Sequence, residues 1–373
     1  MKLEVLQQNF SKALAISSRF VNTRAQLPIL SNILLLAAKN KFLVQATNLE
    51  ISCSISIGAK VSKEGSLAIP SKTIVDLVSN LSQESITLEV EKEQIKVTSS
   101  GFSASVNGIN PSDFPIIPQN LDATSGELSS DLFIKSLSQV LFCASNDETR
   151  PVLTGVLFLF KDNLLTLVAT DGFRLSQKQV PIRTKAKSIK KDSLIIPKTV
   201  LSEVLRISDE ANEPILFQFK DTENQILFAL DQMVLASRVI EGEFPNFEKI
   251  IPKNSTVKVN LDKDDLLRAV KLSAVFARDN ANIVKFSINQ NSLKLSAEST
   301  KSGKQETQVE AKVEGEDLEI LFNYRFVEEF LNVVVGEEVN MEFSTSSSPG
   351  VFKDPKDANF LHLIMPVRIS SNE

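Results

Sequence analysis

The sequence predicts an α+β fold made of three similar domains, each with two helices packed on antiparallel sheet. Three observations lead to this fold class. A domain-sized pattern repeats with a period of about 125 residues. Each repeat contains apolar residues at helical spacing as well as short runs that alternate apolar and polar residues. A chain of 373 residues is also longer than one hydrophobic core usually serves.

Three sequence pieces carry the repeat. An apolar strand that ends in a small residue and a polar turn occurs at Phe42–Ser52, Leu165–Ser176 and, less closely, Leu293–Gly303. A strand that runs into a helix occurs at Ser66–Val78, Ser193–Leu205 and Leu318–Leu331. A segment containing Phe-Pro closes only the first two repeats, at Pro111–Pro118 and Glu241–Pro252. The polar stretches between repeats predict domains at 1–122, 127–250 and 251–373.

A helix is predicted to open each repeat, and the second recurring piece runs into a second helix in the middle of the repeat. Asp262, Asp264 and Asp265 suit the start of the third opening helix, because carboxylates there satisfy free amides and the helix dipole. Alternating strands are predicted at 51–57, 86–90 and 257–261. The residues with helical spacing are Phe10, Ala13, Leu14, Ser17 and Val21; Leu132, Phe133, Leu137, Val140 and Leu141; and Leu266, Leu267, Val270 and Phe276.

Composition narrows the classes of protein. A formal net charge of −5 argues against coating nucleic acid by bulk attraction, although a protein that encloses DNA needs only a locally positive inner surface. The N-terminus has no signal-peptide pattern, and the most apolar stretch, Leu27–Ala38, is too short and mixed to span a bilayer. We therefore expect a cytoplasmic protein with no membrane partner.

Signals for catalysis are weak. No G-x-G fingerprint or P-loop occurs, and the only histidine, His362, is interpreted as an ordinary strand residue. Cys53 and Cys143 are too few for a zinc site or a disulfide framework and are expected to be small buried residues. We predict no catalytic residues, metal or cofactor. A carboxylate dyad or magnesium site remains open, because carboxylates are plentiful.

Four separated runs in register resemble the bacterial DNA polymerase III beta subunit family. The runs are NDETRPVLTGVLF at 146–158, ATDGFRLS at 169–176, EGEFPNF at 241–247 and LIMPVR at 363–368, and TRAQLPILSNILL at 23–35 agrees with them. The resemblance covers the whole chain. It implies three DNA-clamp domains per chain, a head-to-tail homodimer that forms a ring, and a non-catalytic processivity factor that encircles double-stranded DNA.

The ring implies an inner surface that contacts phosphates without reading sequence. Lys72, Lys198 and Arg325 fall at or near the start of the second helix of each repeat, which favours a shared inner role. Arg24 matches a position that contacts DNA in the family. Solvated helix faces are the alternative interpretation of such residues. The other basic residues on or beside the predicted helices are Lys12, Arg19, Lys135, Arg268 and Lys271.

The resemblance also implies a pocket, between the second and third domains, for short hydrophobic peptides of replication proteins. The expected partners are the DNA polymerase III alpha subunit, the delta subunit of the clamp loader complex, and other polymerases and repair proteins with clamp-binding motifs. Phe173 stands where the family often has His, and Lys249 where Arg is common. The matching positions are Arg150, Leu153, Thr170, Gly172, Phe173, Leu175, Pro245, Lys249, Ile250, Asn323, Phe326, Leu363, Met365, Pro366, Val367 and Arg368.

At the implied dimer interface, Phe102 keeps an aromatic side chain and Leu272 is retained. Ala104 and Lys271 are smaller or more polar than in familiar family members, so they put the strength of the dimer in question. Two other functions stay open from the residues alone. One is a three-domain protein-binding scaffold that does not encircle DNA, and the other is a carboxylate-dependent hydrolase.

Overall fold

The computed structural model describes residues 1–22, 27–39, 41–82, 84–122, 126–184, 191–208 and 213–368. Within these ranges, no helix is both long and apolar enough to cross a membrane. Among the described residues, each of the three repeats contributes two helices. They are α1 (Gln7–Ser17), α2 (Ser71–Ser79), α3 (Ser130–Leu141), α4 (Lys198–Ser208), α5 (Lys263–Ala277) and α6 (Tyr324–Val333).

In the described ranges, each repeat also contributes nine strands. Those of the first repeat are β1 (Lys2–Leu6), β2 (Asn32–Ala38), β3 (Lys41–Thr47), β4 (Ile51–Ile57), β5 (Ala59–Lys63), β6 (Gly65–Pro70), β7 (Ser85–Glu91), β8 (Gln94–Ser99) and β9 (Phe102–Asn107). Those of the second are β10 (Gly126–Leu128), β11 (Gly155–Lys161), β12 (Leu164–Thr170), β13 (Arg174–Pro181), β14 (Arg183–Thr184), β15 (Ser193–Pro197), β16 (Ile215–Lys220), β17 (Gln225–Leu230) and β18 (Met233–Arg238). Those of the third are β19 (Val257–Asp262), β20 (Ile283–Asn289), β21 (Ser292–Ser299), β22 (Gly303–Glu310), β23 (Lys312–Glu314), β24 (Leu318–Asn323), β25 (Glu338–Phe343), β26 (Gly350–Lys353) and β27 (Phe360–Ile364).

The strand order confirms the threefold repeat. In the first repeat, β5-β1-β7-β8-β9 and β4-β3-β2-β6 form two antiparallel arrays. Adding nine to each label gives the arrays of the second repeat, and adding nine again gives those of the third. The same chain path is therefore built three times, although only the first two repeats are obviously alike in sequence.

Edge strands of neighbouring repeats pair with each other and produce two nine-stranded sheets. Strand β18 pairs with β4 in one sheet, and β27 pairs with β13 in the other. Each pairing satisfies backbone groups that an open sheet edge would expose. Because every such sheet contains strands of two repeats, the compact units of the structure are larger than one repeat.

The first compact unit contains the described residues within Met1–Ser130, Arg183–Lys190 and Arg206–Val239. It holds the five-stranded array of the first repeat and the nine-stranded sheet that runs from β14 to β6. Helix α1 is buried through Phe10, Ala13 and Leu14, as its spacing predicts. The helix ends at Ser17 and a 3-10 turn follows, so the inclusion of Val21 in the predicted helix was wrong.

The second compact unit contains the described residues within Asp131–Ile182, Lys191–Leu205 and Ile240–Glu373. It holds the nine-stranded sheet from β15 to β23 and the four-stranded sheet β22-β21-β20-β24. Helix α5 begins as predicted, because the Asp262 carboxylate accepts hydrogen bonds from the amides of Asp264 and Asp265. The two units do not test the predicted domain boundaries, which remain a prediction.

Candidate functional site

The turn between β12 and β13 is locked by its own side chains. Thr170 Oγ1 donates to the carbonyl of Arg174 over 2.6 Å and accepts from the amide of Gly172 over 3.1 Å. Asp171 Oδ1 accepts from the amides of Phe173 and Arg174 at 2.9 and 3.0 Å. Gly172 has φ +93°, a conformation that favours glycine, and a Cβ there would lie 3.3 Å from Arg150 Nη1. The ATDGFR run therefore encodes a rigid turn beside Arg150.

Arg174 connects this turn to helix α6 and to Phe142, the residue that follows α3. Its guanidinium donates to Asp171 Oδ2 over 3.1 Å, to the carbonyl of Phe142 over 3.0 Å, and to Glu329 of α6. It also lies over the ring of Phe142 at 5.2 Å and over that of Phe326 at 4.5 Å. The guanidinium is buried, so these charge-assisted and cation–π contacts operate with little screening.

The segment that follows β27 is held from both sides. The amide of Met365 donates to the carbonyl of Phe173 over 2.8 Å, and the amide of Val367 donates to the carbonyl of Leu321 in β24 over 2.8 Å. The LIMPVR run is therefore an extended segment fixed next to the β12–β13 turn. Asn323 caps α6 by accepting from the amide of Arg325 over 3.0 Å, so part of its hydrogen-bonding capacity is structural.

An apolar floor lies beneath these segments. Leu175 and Leu363 face each other in register across β13 and β27, and both pack in one cluster with Phe247. Phe247 belongs to a 3-10 turn at Phe247–Ile250, which carries Lys249 and Ile250 at its end. The loop between β18 and this 3-10 turn contains Gly242. A Cβ at Gly242 would come within 2.7 Å of Val152 Cγ1, so the loop passes close to a second 3-10 turn, Pro151–Leu153.

All sixteen residues predicted for the peptide pocket lie in the second compact unit. Among the predicted residues, three large apolar side chains are exposed despite the apolar floor: Phe173 by 59%, Ile250 by 43% and Met365 by 37%. The buried members are Leu153, Thr170, Leu175 and Leu363; the half-buried ones are Asn323, Phe326, Pro366 and Val367; the other exposed ones are Arg150, Gly172, Pro245, Lys249 and Arg368. Apolar anchors with basic neighbours are a suitable surface for an extended peptide.

A buried polar network lies behind the pocket, where β13 pairs with β27. His362 Nδ1 is 2.7 Å from Ser176 Oγ, and Cys143 Sγ donates to the same hydroxyl over 3.2 Å. The imidazole stacks on Phe330 with ring centroids 5.3 Å apart. Burial, together with the Arg174 charge, lowers the pKa of His362 to about 3, and burial raises the pKa of Cys143 to about 12. The cluster has the residue types of a catalytic arrangement, but its groups are inaccessible and uncharged.

The predicted DNA-contacting residues lie on helices in both units. Lys12, Lys72, Lys135, Arg268 and Arg325 are exposed, and Arg268 pairs with Asp265 at 3.3 Å. Lys198 is half-buried, and its ammonium donates to the carbonyl of Ala144 and to Asn146 Oδ1 at 3.0 and 3.1 Å. Burial and the nearby Arg174 lower the pKa of Lys198. Arg24 lies outside the described residues.

A cavity of about 340 Å³ in the first unit adds basic residues that the sequence did not single out together. It lies between α1, the end of α4 and the β17–β18 turn. Lys12, Arg19 and Arg206 line it with Asp231 and an apolar floor. Arg206 was not predicted, because nothing in the sequence shows that the end of α4 approaches α1.

Comparison with known proteins decides the family. Models of the N-terminal, central and C-terminal domains of the DNA polymerase III beta subunit match residues 1–118, 127–246 and 248–368. The chain belongs to the DNA polymerase III beta subunit family. The matched stretches correspond to the three repeats, and the fold is accordingly the three-domain clamp fold.

Relatives of this family cover the chain almost completely. The beta sliding clamp of Staphylococcus epidermidis is 29% identical, over 99% of each chain. The DNA polymerase III beta subunit of Thermotoga maritima superposes with a TM-score of 0.91 at 27% identity, covering 99% of this chain and 100% of that one. The sliding clamp of Bartonella birtlesii bound to griselimycin gives a TM-score of 0.92 at 28% identity, with the same coverage.

Family membership does not identify the individual site residues, which remain predictions. Arg174 is the main residue that the sequence reasoning missed at the pocket. Its neighbours Gly172, Phe173 and Leu175 were all predicted. The signal was present in the three-residue spacing from Asp171 to Arg174, but the partners Phe142 and Glu329 are far away in sequence.

Proposed function

We propose that the chain acts as a sliding clamp, in which two copies join head to tail into a ring that encircles double-stranded DNA and tethers the replicative polymerase. The observation that carries the proposal is a pair of corresponding edges. Within the described residues, β9 and β22 each pair on one side only. Strand β9 corresponds to β18 and β27, and strand β22 corresponds to β4 and β13. Within the chain, β18 pairs with β4 and β27 pairs with β13. A second copy supplies the missing pairing, and similar repeats joined in rotation close into a ring.

The two internal junctions predict the register of the third. Their registers place Leu235 opposite Cys53 and His362 opposite Ser176. The β8–β9 hairpin corresponds to β17–β18, and the β21–β22 hairpin corresponds to β3–β4 and β12–β13. Matching residues through these hairpins predicts that Ala104 lies opposite Gln305 and Ser103 opposite Glu306. In this register the burial pattern agrees. Ala104 and Gln305 are half-buried, whereas Ser103 and Glu306 are exposed.

Exposed apolar side chains accompany these edges. Phe102 on β9 is 39% exposed. Helix α5 lies against β22, where Ser273 Oγ donates to Gln305 Oε1 over 2.9 Å, and it exposes Leu272 by 48% and Val275 by 57%. Val275 was not predicted from the sequence. Burying these side chains against a partner compensates for the smaller Ala104 and the polar Lys271.

Three cations occupy positions that weaken the helices carrying them. Lys72, Lys198 and Arg325 are the second, first and second residues of α2, α4 and α6. A positive charge at a helix N-terminus opposes the macrodipole by about 0.3–1 kcal/mol. Their recurrence in every repeat favours a role outside the helix, and contact with the DNA backbone is that role in this proposal. Lys72 and Arg325 are exposed, whereas the ammonium of Lys198 also bonds the carbonyl of Ala144 and Asn146 Oδ1. Lys12, Lys135, Arg268 and Arg24 belong to the same proposed surface.

The sixteen-residue pocket is proposed to bind short hydrophobic peptides. Its proposed ligands are segments of the DNA polymerase III alpha subunit, of the clamp loader delta subunit, and of other polymerases and repair proteins. Support comes from the exposed Phe173, Ile250 and Met365 above an apolar floor. The chain itself performs no chemistry in this proposal and acts in the cytoplasm. Its domains are those predicted from the repeat, at 1–122, 127–250 and 251–373.

Disulfide cross-linking tests the ring directly. Residues directly opposite each other on antiparallel strands have Cα atoms about 4.5–5.5 Å apart, within the range that a disulfide needs. We expect Ser103→Cys combined with Glu306→Cys to form covalent dimers on mild oxidation, at twice the 41.2 kDa chain mass. Ser103→Cys with Gln305→Cys is the matched control, because those residues point to opposite faces. Cys53 and Cys143 are buried and do not compete.

The cross-linked dimer also separates a ring from a scaffold. The Ser103→Cys, Glu306→Cys variant is first loaded on circular DNA and then oxidised. The cross-linked ring should stay bound in 1 M salt and be released when the DNA is linearised. A covalent dimer that washes off circular DNA in high salt would support the non-encircling scaffold. Cross-linking that is equally efficient in the control pair would show that the proposed register is wrong.

Separate variants test the two binding surfaces. Reversing Lys72, Lys198 and Arg325 to Glu should weaken DNA contact, most strongly at low salt, because phosphate contacts depend steeply on salt. Reversing Lys96, Lys161 and Lys258, which are exposed on strands, provides the matched control. Leu175→Ala with Met365→Glu should abolish binding of a clamp-binding peptide while the sedimentation mass stays dimeric. Unchanged peptide affinity would refute the pocket assignment.

A further inference from the structure

The first compact unit contains a turn with the same hydrogen bonds as the pocket turn. Thr47 Oγ1 donates to the carbonyl of Ile51 and accepts from the amide of Leu49, both at 3.0 Å. Asn48 Oδ1 accepts from the amides of Glu50 and Ile51 at 3.0 and 2.8 Å. The amide of Arg238, at the end of β18, donates to the carbonyl of Glu50 over 3.0 Å. Each bond has its counterpart in the pocket, with Thr170, Asp171 and Met365 in the corresponding places.

The neighbouring segments correspond as well. The 3-10 turn Pro28–Ser31 is the counterpart of Pro151–Leu153, so Leu27 occupies the place of Arg150. Phe114 and Ile117 pack with Ile29 and Leu30. In the pocket, the corresponding residues Phe244, Phe247 and Val152 likewise belong to one apolar cluster. The first unit therefore repeats the backbone of the pocket, with different side chains on it.

Three of those side chains are apolar and exposed, whereas the exposed Glu50 stands where the pocket has Phe173. Leu27 is 55% exposed, Leu49 is 49% exposed, and Ile116, between the packed residues Phe114 and Ile117, is fully exposed. Leu49 has φ +78°, where the pocket has Gly172. A leucine in that left-handed conformation costs about 1–2 kcal/mol, and such strain is characteristic of functional positions. Exposure and strain thus coincide at one turn.

We propose that Leu27, Leu49 and Ile116 form a second peptide-docking surface, which we name the first-unit surface. Its ligand is an extended peptide of a partner protein, because the surface repeats the backbone of the peptide pocket; this step rests on the function proposed for that pocket. Arg238 stands where the pocket has Met365, and it is exposed. The first-unit surface therefore takes a peptide with an Asp or Glu at the position where the pocket takes an apolar residue.

The probe is a synthetic ten-residue peptide with leucine anchors, one aspartate and a terminal benzophenone, and the binding protein is the full-length chain. Met365→Glu closes the pocket without touching the first unit. We expect this variant still to bind the probe and, on irradiation, to be labelled within 27–50 or 111–118. In that background, Leu49→Gly should weaken binding at least tenfold. Glycine suits φ +78°, so this variant keeps its fold.

Leu164→Ser is the matched control, because Leu164 is 46% exposed on β12 away from both turns, and it should change nothing. Arg238→Met should shift preference from the aspartate probe to an all-apolar one. If wild type binds one probe and Met365→Glu binds none, the first-unit surface is refuted while the pocket stands. If Met365→Glu binds the probe as tightly as wild type and neither protein is labelled at 170–175, the pocket assignment fails instead. A Leu49→Gly variant that lowers the sedimentation mass without changing probe affinity would show that a second copy of the chain covers this surface, and would overturn the proposal.

Discussion

His362 is expected to make stability depend on pH between pH 7 and 5. The imidazole is fully buried against Phe330 and lies 2.7 Å from Ser176 Oγ. Its pKa is lowered to about 3, chiefly by burial, whereas an unfolded histidine has a pKa of about 6.5. Below that value the unfolded chain takes up a proton that the native chain does not. The contribution of neutral His362 is therefore complete above pH 6.5 and is lost as the pH falls toward 3.

The size of the effect follows from the two pKa values. At pH 5 the unfolded state gains about 2 kcal/mol from protonating this one group, and the native state gains almost nothing. Carboxylates begin to titrate below pH 5, so the window from pH 7 to 5 isolates the histidine. The comparison variant is His362→Phe, because a phenyl ring can stack on Phe330 and cannot take up a proton. Losing the hydrogen bond to Ser176 shifts its stability at all pH values, but not the slope.

The assay is urea unfolding at pH 7, 6 and 5, at one protein concentration. Wild type should lose about 2 kcal/mol more unfolding free energy than His362→Phe between the two ends of the series. A second measurement is direct. The chain has one histidine, so the C–H at its Cε1 gives a single NMR resonance. That resonance should not move between pH 8 and 5 in the native protein. A titration midpoint near 6.5, or equal slopes for the two proteins, would refute the reasoning.

Three other predictions concern single groups. Cys53 and Cys143 are fully buried, so the native protein should not react with a thiol reagent at pH 8, whereas two thiols should react in denaturant. A thiol that reacts quickly in the native protein would show that its side chain is accessible. Arg174→Met should lower the unfolding free energy by about 3 kcal/mol, because it leaves Asp171 and Glu329 without their shared cation, and Glu329→Gln should recover part of the loss in the double variant. Gly172→Ala should lower the unfolding free energy by about 1–2 kcal/mol, because φ is +93° and the added methyl meets Arg150. Leu49→Gly, at the corresponding turn, should change the unfolding free energy by about 1 kcal/mol or less, and equal losses in the two variants would contradict the turn geometry.

The sequence predicted elements better than their pairing. The opening helices, the strands at 51–57, 86–90 and 257–261, and the turn at 171–173 are all local patterns, and all of them are found. The pairing of β18 with β4 is not readable from the sequence, since every strand presents the same backbone donors and acceptors. The end of α1 was missed for a related reason. Val21 continues the helical spacing, but the chain turns away after Ser17.

The pocket shows the same limit. The resemblance supplied its apolar and turn residues, because those occur in short contiguous runs. The Arg174 contacts with Phe142 and Glu329, and the ion pair between Lys178 and Asp357, join segments far apart in sequence. Although burial opposes it, hydrogen bonds from Lys178 and Gln139 lower the pKa of Asp357. No single segment shows that these residues have partners.

The composition of the edge strands explains how one fold serves both permanent and reversible junctions. Within the chain, β4 and β18 pair through residues such as Cys53, Ile55 and Leu235, most of them buried. In contrast, most exposed residues of β9 and β22 are polar, and they lie beside the exposed Phe102. They are Ser103, Ser105 and Asn107 in β9, and Lys304, Glu306, Gln308 and Glu310 in β22. A polar, charged edge tolerates water and resists unwanted pairing when it is unpartnered, whereas an apolar edge would aggregate. A ring that must open to admit DNA needs an edge that tolerates water at the junction between copies. The difference in side chains on matching backbones is thus what the proposed ring requires.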